Sequence, residues 1–407
     1  MRNLIFIAHR IPYPPDKGEK IRGFNLLKHL SRSYRIHLGC LVDEPSDMQH
    51  LSTLREWCVD VAGFQIDKRL QKLKALAKIR PGRPLMLDYY SHPGLQRWVR
   101  DSMARQHMDV VYIYSVAMVP YVEGLRGPGL ILDAQDIDSE KWTTYAGQVR
   151  WPMRAVWSRE GRTLLEYERK AAMRCNVTLF VSQQECDRFV ELAPETAGLV
   201  HAVENGVDLD RFSSDRTFET PFQTKGPHLV FTGNMDYWPN ADAVRWFVAD
   251  IFPLLKSRYP MVEFHVVGAN PGRDVLRLAD TPGVYVTGRV PDTRPFVAHA
   301  DACVVPLRVA RGIQNKVLEA MAMGRPVVAS CQAFEGVRAV PGRDLLVADG
   351  ATETAARILE VLEGAHPGLN DAARAAMVRS YAWSATLSRL DAILDDVSAT
   401  NLIGSAA

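Results

Sequence analysis

The residues of this chain best suited to bind a phosphorylated ligand form a turn at the start of a predicted helix. Apolar runs at 301–306 and 325–329 predict two buried strands, and the helix between them ends at Gly324, in the place of a helix-ending glycine. A helix start exposes free backbone N–H groups and the positive end of the helix dipole, so it is a natural anion site. The start comprises Gly312, Ile313, Gln314 and Asn315.

Charged side chains accompany this turn. Lys316 adds a full positive charge, and Glu319 falls one helical turn later on nearly the same face. Arg308 and Arg311 precede the turn or begin it. Amides and a cation could hold a diphosphate, while a carboxylate could accept hydrogen bonds from sugar hydroxyls. The alternative is an ordinary crossover helix whose Lys and Glu are solvated.

Three strings of the sequence resemble a known family. LEAMAMGRPVVAS, residues 318–330, closely resembles the nucleotide-binding segment of GT-B glycosyltransferases, especially the retaining family 4. HAVENGVDLDRF, residues 201–212, resembles the segment that ends the N-terminal domain in that family, and GRVPD resembles its Gly-x-Val loop. The resemblance implies that Glu319 holds the ribose hydroxyls and that the turn before the helix binds the diphosphate. It also implies that the backbone at Arg289 and Val290 contacts the base.

Length and pattern predict two domains. A chain of 407 residues is long for one core, and strand-like runs alternate with helical patterns in two successive series. The resemblance implies an α/β chain of GT-B architecture, with two Rossmann-like domains facing across a cleft and a C-terminal helix crossing back to the N-terminal domain. We place an acceptor domain at 1–212, a linker at 213–227, a nucleotide-sugar donor domain at 228–381 and the returning helix at 382–407.

Two places in the predicted first domain are candidates for contact with substrate. The loop PPDKGEK resembles the PPxxGG loop of family 4 enzymes, although Gly18 is the one glycine of the pair that is present. A plain surface turn is the alternative. Acids at 133, 136 and 138 follow a predicted strand, and ligands bind at the carboxyl ends of strands in such sheets. Asp136 is our candidate for the catalytic residue, and capping of the next helix is its alternative role.

Two of these acids, Asp136 and Asp138, spell the DxD motif that holds a metal in GT-A glycosyltransferases. We discount that interpretation, because a GT-A enzyme has one nucleotide-binding domain and this chain repeats the α/β pattern twice. We therefore expect neither a metal nor a cofactor, apart from the nucleotide sugar that serves as substrate.

The chain departs from the family pattern at two positions. The family carries a Glu beside the transferred sugar where this chain has Arg311, and an Arg and a Lys in the loop that here reads NMDYWPN, residues 234–240. Arg308, Arg311 and Lys316 are our candidates to replace those lost cations. Because the missing Glu is part of the retaining signature, the stereochemical outcome stays open.

Composition and charge indicate which kinds of binding partner the protein could have. A net charge of +2 gives no indication of nucleic-acid binding, and six scattered cysteines form no zinc-binding or disulfide pattern. A run of seven Lys and Arg residues without an acid at 68–83 predicts a basic amphipathic helix. This helix could lie on an anionic membrane surface, or it could be a solvated helix that packs on the sheet through its leucines.

The resulting prediction is a glycosyltransferase that moves a sugar from a UDP- or GDP-linked donor to a glycan or lipid-linked acceptor. The subgroup that its motifs resemble is tied to exopolysaccharide production in bacteria, so we expect a cytoplasmic protein that can lie on the inner face of the membrane. Two alternatives remain at this point: a sugar-nucleotide 2-epimerase on the same fold, and a non-catalytic nucleotide-binding partner.

Overall fold

A computed structural model describes residues 1–15, 18–310 and 312–404, and these fall into two compact units. The first unit contains residues 1–204 together with those from Leu387 onward, and the second contains residues 205–386. Residues 213–227, predicted as a linker, lie within the second unit, where Phe222 is buried in the hydrophobic core. No helix in the described part of the chain is long and apolar enough to cross a membrane.

The first unit is built on a parallel sheet in the order β3-β2-β1-β4-β5-β6-β7. Its central strands are continuous apolar runs buried on both faces, as expected of a sheet covered by helices on either side. The strands are β1 (Arg2–Ala8), β2 (Tyr34–Val42), β3 (Cys58–Gln65), β4 (Val110–Tyr114), β5 (Gly129–Gln135), β6 (Val177–Phe180) and β7 (Val200–Ala202).

Helices connect these strands, and short 3-10 turns at Pro45–Leu51, Thr53–Glu56, Val116–Val122 and Pro194–Thr196 complete the unit. The helices are α1 (Gly18–Leu30), α2 (Lys68–Ala77), α3 (Leu85–Tyr89), α4 (Pro93–Arg105), α5 (Asp138–Gln148), α6 (Met153–Arg174) and α7 (Gln183–Leu192).

The second unit has its own parallel sheet, in the order β10-β9-β8-β11-β12-β13. Like the first sheet, it is doubly wound: the strand order reverses between β8 and β11, as it does between β1 and β4 in the first unit. The strands are β8 (His228–Thr232), β9 (Glu263–Val267), β10 (Val284–Gly288), β11 (Ala302–Val305), β12 (Val327–Ala329) and β13 (Leu346–Val347).

The helices of the second unit cover both faces of this sheet, with a π-helical stretch at Phe247–Ile251 and a 3-10 turn at Arg277–Asp280. The last helix, α16, starts in the second unit and continues into the first. The helices are α8 (Trp238–Trp246), α9 (Phe252–Arg258), α10 (Arg273–Leu276), α11 (Arg294–Ala298), α12 (Asn315–Ala322), α13 (Cys331–Phe334), α14 (Ala351–Leu362), α15 (Leu369–Tyr381) and α16 (Trp383–Gly404).

The basic helix α2 is shorter than predicted. It begins at Lys68, where the Asp67 side chain accepts hydrogen bonds from the first turn, but it ends at Ala77 rather than continuing to residue 83. Pro81 and Gly82, the latter with φ of +72°, follow in an irregular segment. Proline lacks the backbone donor that a helix needs, so the apolar spacing could not extend the helix through it.

The leucines of α2 face outward, contrary to the interpretation of this helix as one packed on the sheet through them. Leu70, Leu73 and Leu76 are 50%, 65% and 53% exposed, whereas Gln71 and Ala75 are the buried residues of the helix. The Gln71 side chain donates a hydrogen bond to the Ser91 carbonyl. The apolar stripe of α2 is therefore available to another surface.

Candidate functional site

The predicted phosphate-binding turn lies at the switch point of the second sheet. It connects β11 to α12, and the loop after β8 leaves the adjacent strand. In open parallel sheets, ligands bind beyond the carboxyl ends of the strands at such a reversal. The candidate site therefore occupies the place where this type of fold binds nucleotides.

Gly312 and Gln314 shape the turn. Gly312 has φ of +65°, a backbone conformation that residues with a Cβ rarely adopt. The Gln314 side chain donates to the Gly312 carbonyl over 3.0 Å, and Gln314 is the N-cap of α12. Asn315 begins the helix and Ile313 packs against the hydrophobic core. The turn thus presents the start of α12 to the carboxyl edge of the sheet, as predicted.

Lys316 reaches from the helix start to the loop after β8. Its Nζ donates to Asn240 Oδ1 over 2.6 Å and lies 4.7 Å from the centroid of the Phe231 ring. Asn240 in turn donates to the Asn234 carbonyl over 2.8 Å. The loop at 234–240 lacks the Arg and Lys of the family pattern, but Lys316 brings a cation into contact with it. This contact was not predictable from the spacing alone.

The loop after β8 passes close to the loop after β9, and glycine makes this approach possible. A Cβ at Gly268 would lie 1.8 Å from the Gly233 carbonyl oxygen, and a Cβ at Gly233 would lie 2.7 Å from Asn240 Nδ2. A Cβ at Gly233 would also lie 3.4 Å from Lys316 Nζ, so a side chain at either position would displace this loop. We therefore assign both glycines to the shape of the site.

Burial shifts the pKa values of the two charged side chains of α12 in opposite directions. Loss of water lowers the pKa of Lys316 to about 7, an effect that Glu319 opposes. Loss of water likewise raises the pKa of Glu319 to about 7, while Arg211 and Lys316 oppose the shift. Burial therefore brings the pKa values of both groups towards neutral pH, and a ligand that contacts either side chain favourably would stabilise its charged form.

The remaining predicted contacts differ in how ready they are for a ligand. The Arg308 guanidinium pairs with Asp242, with Nε 2.9 Å from Oδ2, and lies over the Trp246 ring. It would have to leave Asp242 to reach a diphosphate. Arg311 lies outside the described residues. Arg289 is exposed after β10, and Val290 packs against the core.

On the first unit, Asp136 and Asp138 form a charged cluster with Lys141 at the carboxyl end of β5. Lys141 Nζ donates to Asp136 over 2.9 Å and to Asp138 over 3.0 Å. Burial opposes the charge on Lys141, but the two carboxylates hold its pKa well above the usual value. The N-cap of α5 is Ile137, without a side-chain cap, so Asp136 does not have the alternative capping role.

The third acid of this predicted edge, Asp133, serves a different purpose. Its side chain is fully buried, pairs with Arg22 from α1 at 3.0 Å and accepts from the Tyr112 hydroxyl over 2.7 Å. The prediction that it faces a ligand is wrong, because alternation along β5 turns Asp133 into the layer between sheet and helix. Gly18 is the first residue of α1, and its neighbours Asp16 and Lys17 lie outside the described residues.

Two residues near this cluster were missed in the sequence. His9 follows β1, and its Nδ1 lies 3.1 Å from the Tyr114 carbonyl; burial first, and then Arg10, lowers the pKa of His9. Its position directly after a buried strand was a usable signal. Glu168 accepts from the Ser139 hydroxyl over 2.5 Å, and burial raises its pKa to about 8, assisted by Asp138. Nothing in its helical spacing distinguished Glu168 from a surface acid.

The second unit is similar in sequence to a known family. Residues 226–364, which contain the whole candidate site of the second unit, match the family model of Glycosyl transferases group 1. No curated protein sequence gives a significant match to the chain.

Solved structures of low sequence identity share the fold over the whole chain. Sucrose-phosphate synthase from Thermosynechococcus elongatus superposes with a TM-score of 0.70 at 16% identity, covering 98% of this chain and 100% of that one. Anabaena HepE in complex with UDP and glucose superposes with a TM-score of 0.66 at 14% identity, covering 96% of this chain and 99% of that one. WaaG, a glycosyltransferase involved in lipopolysaccharide biosynthesis, superposes with a TM-score of 0.61 at 13% identity, covering 96% of this chain and 99% of that one.

These findings define the class of the protein. The chain has the GT-B fold, and the predicted α/β architecture with two Rossmann-like domains is confirmed. Residues 226–364 of its second unit match the glycosyltransferase group 1 model, and together with the shared fold this match supports a glycosyltransferase enzyme. The 2-epimerase and the non-catalytic partner are not favoured.

Proposed function

We propose that this protein transfers a sugar from a UDP-sugar to a hydroxyl of a glycan or lipid-linked acceptor in exopolysaccharide synthesis. The observation that carries the proposal is the convergence of the Gly312 turn, Lys316 and Glu319 at the switch point of a glycosyltransferase domain. The fold neighbour HepE is described in complexes with UDP and with UDP-glucose, which supports uridine over guanosine.

The donor would be held through its nucleotide. Glu319 would accept hydrogen bonds from the ribose hydroxyls, and the backbone at Arg289 and Val290 would contact the base. The amides of the turn and Lys316 would bind the diphosphate and stabilise the charge that grows on it as the sugar leaves. Because these groups supply positive charge at the leaving oxygen, we propose that transfer proceeds without a metal ion.

The acceptor would bind on the first unit. Asp136 lies at the carboxyl end of β5 and is partly exposed, so its free oxygen could accept the proton of an acceptor hydroxyl. Lys141 holds Asp136 and Asp138 in fixed positions. Gly18 would contribute the start of α1 beside the acceptor.

Thermal unfolding tests the donor site. We expect UDP to raise the midpoint, since a ligand at about 100 times its dissociation constant adds roughly 2.7 kcal/mol to stability, while GDP and ADP leave it unchanged. The rise should be smaller in Glu319→Ala, about half as large if the affinity falls 10-fold, and it should persist unchanged in Glu363→Ala, which removes an exposed acid after α14. A rise of the midpoint with GDP alone would indicate that the donor carries guanosine and not uridine. No rise with any diphosphate would contradict the proposal and favour a non-catalytic role.

We also propose that α2 docks on an anionic membrane surface, where a lipid-linked acceptor would be found. Leu70, Leu73 and Leu76 form an exposed apolar stripe, and Ile79 extends it with 52% exposure. Lys68 pairs with Asp43 and Glu44, so it contributes little to docking. Four other cations close to this stripe, Arg69, Lys72, Lys74 and Lys78, would each contribute about 1 kcal/mol at such a surface.

Sedimentation with lipid vesicles tests the docking. We expect the protein to bind vesicles rich in phosphatidylglycerol and to bind phosphatidylcholine vesicles weakly. Combined Leu73→Ser and Leu76→Ser should lower the bound fraction severalfold, whereas Leu276→Ser, at a leucine 49% exposed on the second unit, should not. Equal binding by both variants would contradict a role for α2.

A further inference from the structure

Three potential metal ligands converge at the amino edge of the second sheet. His228 is the first residue of β8 and stands opposite Glu263, the first residue of β9. His265 follows two positions after Glu263, so both side chains project from the same face of the strand. All three residues are more than nine-tenths buried. This edge is the end of the sheet opposite to the candidate nucleotide site.

The donor atoms of these side chains form a nearly equilateral triangle. His228 Nδ1 lies 3.3 Å from His265 Nε2 and 3.3 Å from Glu263 Oε2, and His265 Nε2 lies 3.2 Å from that same oxygen. A tetrahedral Zn²⁺ with bonds of about 2.0–2.1 Å places its ligand atoms about 3.3–3.4 Å apart. The three atoms therefore already have the spacing of one face of such a site.

The surroundings orient the donors as metal sites require. His228 Nε2 lies 3.3 Å from the Thr224 carbonyl, which can only accept, so this nitrogen carries the proton and Nδ1 keeps its lone pair. The Tyr285 hydroxyl donates to the second Glu263 oxygen over 3.2 Å. Contacts of this kind fix the tautomer and the direction of ligands around a metal.

Aromatic rings hold both imidazoles in place. Phe222 stacks on His228 with centroids 4.0 Å apart and lies 4.4 Å from His265. Tyr285 stacks on the His265 ring at 4.9 Å with an interplanar angle of 10°. Packing against these aromatic rings therefore constrains the planes of both imidazoles.

We propose that His228, Glu263 and His265 bind one divalent transition-metal ion, with Zn²⁺ the best fit to two imidazoles and a carboxylate. A water molecule would take the fourth position. The ion would join the starts of β8 and β9, and through Thr224 and Phe222 it would fasten the segment at 213–227 to the sheet. Its role would be structural and independent of the proposed nucleotide site, which lies at the opposite edge of the same sheet.

Metal content and stability test the proposal in the full-length protein. After chelation and dialysis against Zn²⁺, we expect one bound ion per chain and a raised unfolding midpoint, both reversed by chelator. Co²⁺ should bind in its place and give the visible absorption of a tetrahedral site. His265→Ala should bind no ion, while His366→Ala, which removes a histidine paired with Glu360 on the same unit, should retain it.

If His265→Ala does not fold, Glu263→Gln provides a second variant, because glutamine has nearly the same size as glutamate. We expect it to weaken Zn²⁺ binding by about 10–100-fold, with the protein still folded by circular dichroism. A folded wild-type protein that takes up neither ion would overturn the proposal and leave a hydrogen-bonded triad. An intense thiolate band with Co²⁺ would also overturn it, by placing the ion at a cysteine such as the exposed Cys331.

Discussion

The carboxyl edges of the two sheets are built in different ways. The edge of the second unit relies on a glycine turn, a helix start and two side chains of α12, Lys316 and Glu319, which are close together in sequence. The edge of the first unit collects side chains from distant segments: His9 after β1, Asp136 after β5 and Glu168 from within α6.

The difference corresponds to what each edge would bind. A nucleoside diphosphate offers the same phosphates and ribose whatever sugar it carries, so backbone amides and two charges suffice to hold it. An acceptor differs from enzyme to enzyme, so its site would depend on side chains. The family model accordingly matches residues 226–364 and not the first unit. We therefore propose that the second edge binds the donor and that the first edge binds the acceptor.

The largest effect is expected from Asp136→Asn. Loss of a general base should lower kcat by about 10²–10⁴-fold, because the amide cannot accept the acceptor's proton. Affinity for UDP should stay within about twofold of the wild type. The measurement is transfer from radiolabelled UDP-sugar to extracted lipid acceptor. The control variant Asp187→Asn, which changes an exposed acid of α7 on the same unit, should keep full activity. A kcat unchanged by Asp136→Asn would remove that residue from the acceptor site.

Lys316→Ala should have a smaller and more selective effect. Loss of one charge-assisted contact to phosphate should weaken UDP binding by about 10–100-fold while leaving uridine binding nearly unchanged. Arg311→Ala should act in the same direction if Arg311 replaces a lost family cation. Titration calorimetry with both ligands gives the ratio, and Lys256→Ala on the surface of the second unit is the control. Equal losses for UDP and uridine would contradict contact between Lys316 and the diphosphate.

The smallest effect is a pH dependence of donor binding. In the free protein the pKa values of Lys316 and Glu319 are each shifted to about 7. The diphosphate favours charged Lys316, so binding should take up a proton and weaken as pH rises above about 7. Ribose hydroxyls favour ionised Glu319, so binding should also weaken as pH falls below about 7. Affinity for UDP-glucose, measured between about pH 5 and 9, should therefore pass through a maximum near neutrality, changing by at most tenfold per pH unit on either limb.

Two substitutions assign the limbs of that profile. Lys316→Arg should abolish the alkaline limb, because guanidinium stays charged across the range. Glu319→Gln should abolish the acid limb and lower affinity at every pH. A flat wild-type profile would show that neither group changes its ionisation on binding.

The arrangement of residues at the second edge was easier to predict from the sequence than that at the first, and the reason is the distance along the chain. Gly312, Lys316 and Glu319 belong to one strand–turn–helix segment, so local periodicity places them together. The contact between Lys316 and Asn240 spans 76 positions and required the folded sheet. The same holds for His228, Glu263 and His265, whose positions at the starts of neighbouring strands carry no local signal.

Errors in the first unit arose where the direction of a side chain depends on residues distant in sequence. Asp133 has the sequence position of an acid that faces a ligand. In the structure its carboxylate is buried and pairs with Arg22, which lies 111 positions away in the sequence. The leucines of α2 have the spacing of a packed face, yet their exposure depends on which elements cover that helix. Local pattern supplies element type and strand ends, whereas burial of individual side chains is decided by tertiary packing.

The most direct test of the division between the two edges is titration calorimetry of UDP against three proteins. Wild type and Asp136→Asn should bind UDP with the same affinity, while Glu319→Ala should bind at least about 10-fold more weakly, since the hydrogen bonds from ribose to a charged acceptor are lost. Unaltered binding in Glu319→Ala, or a loss confined to Asp136→Asn, would contradict the assignment of donor binding to the second unit.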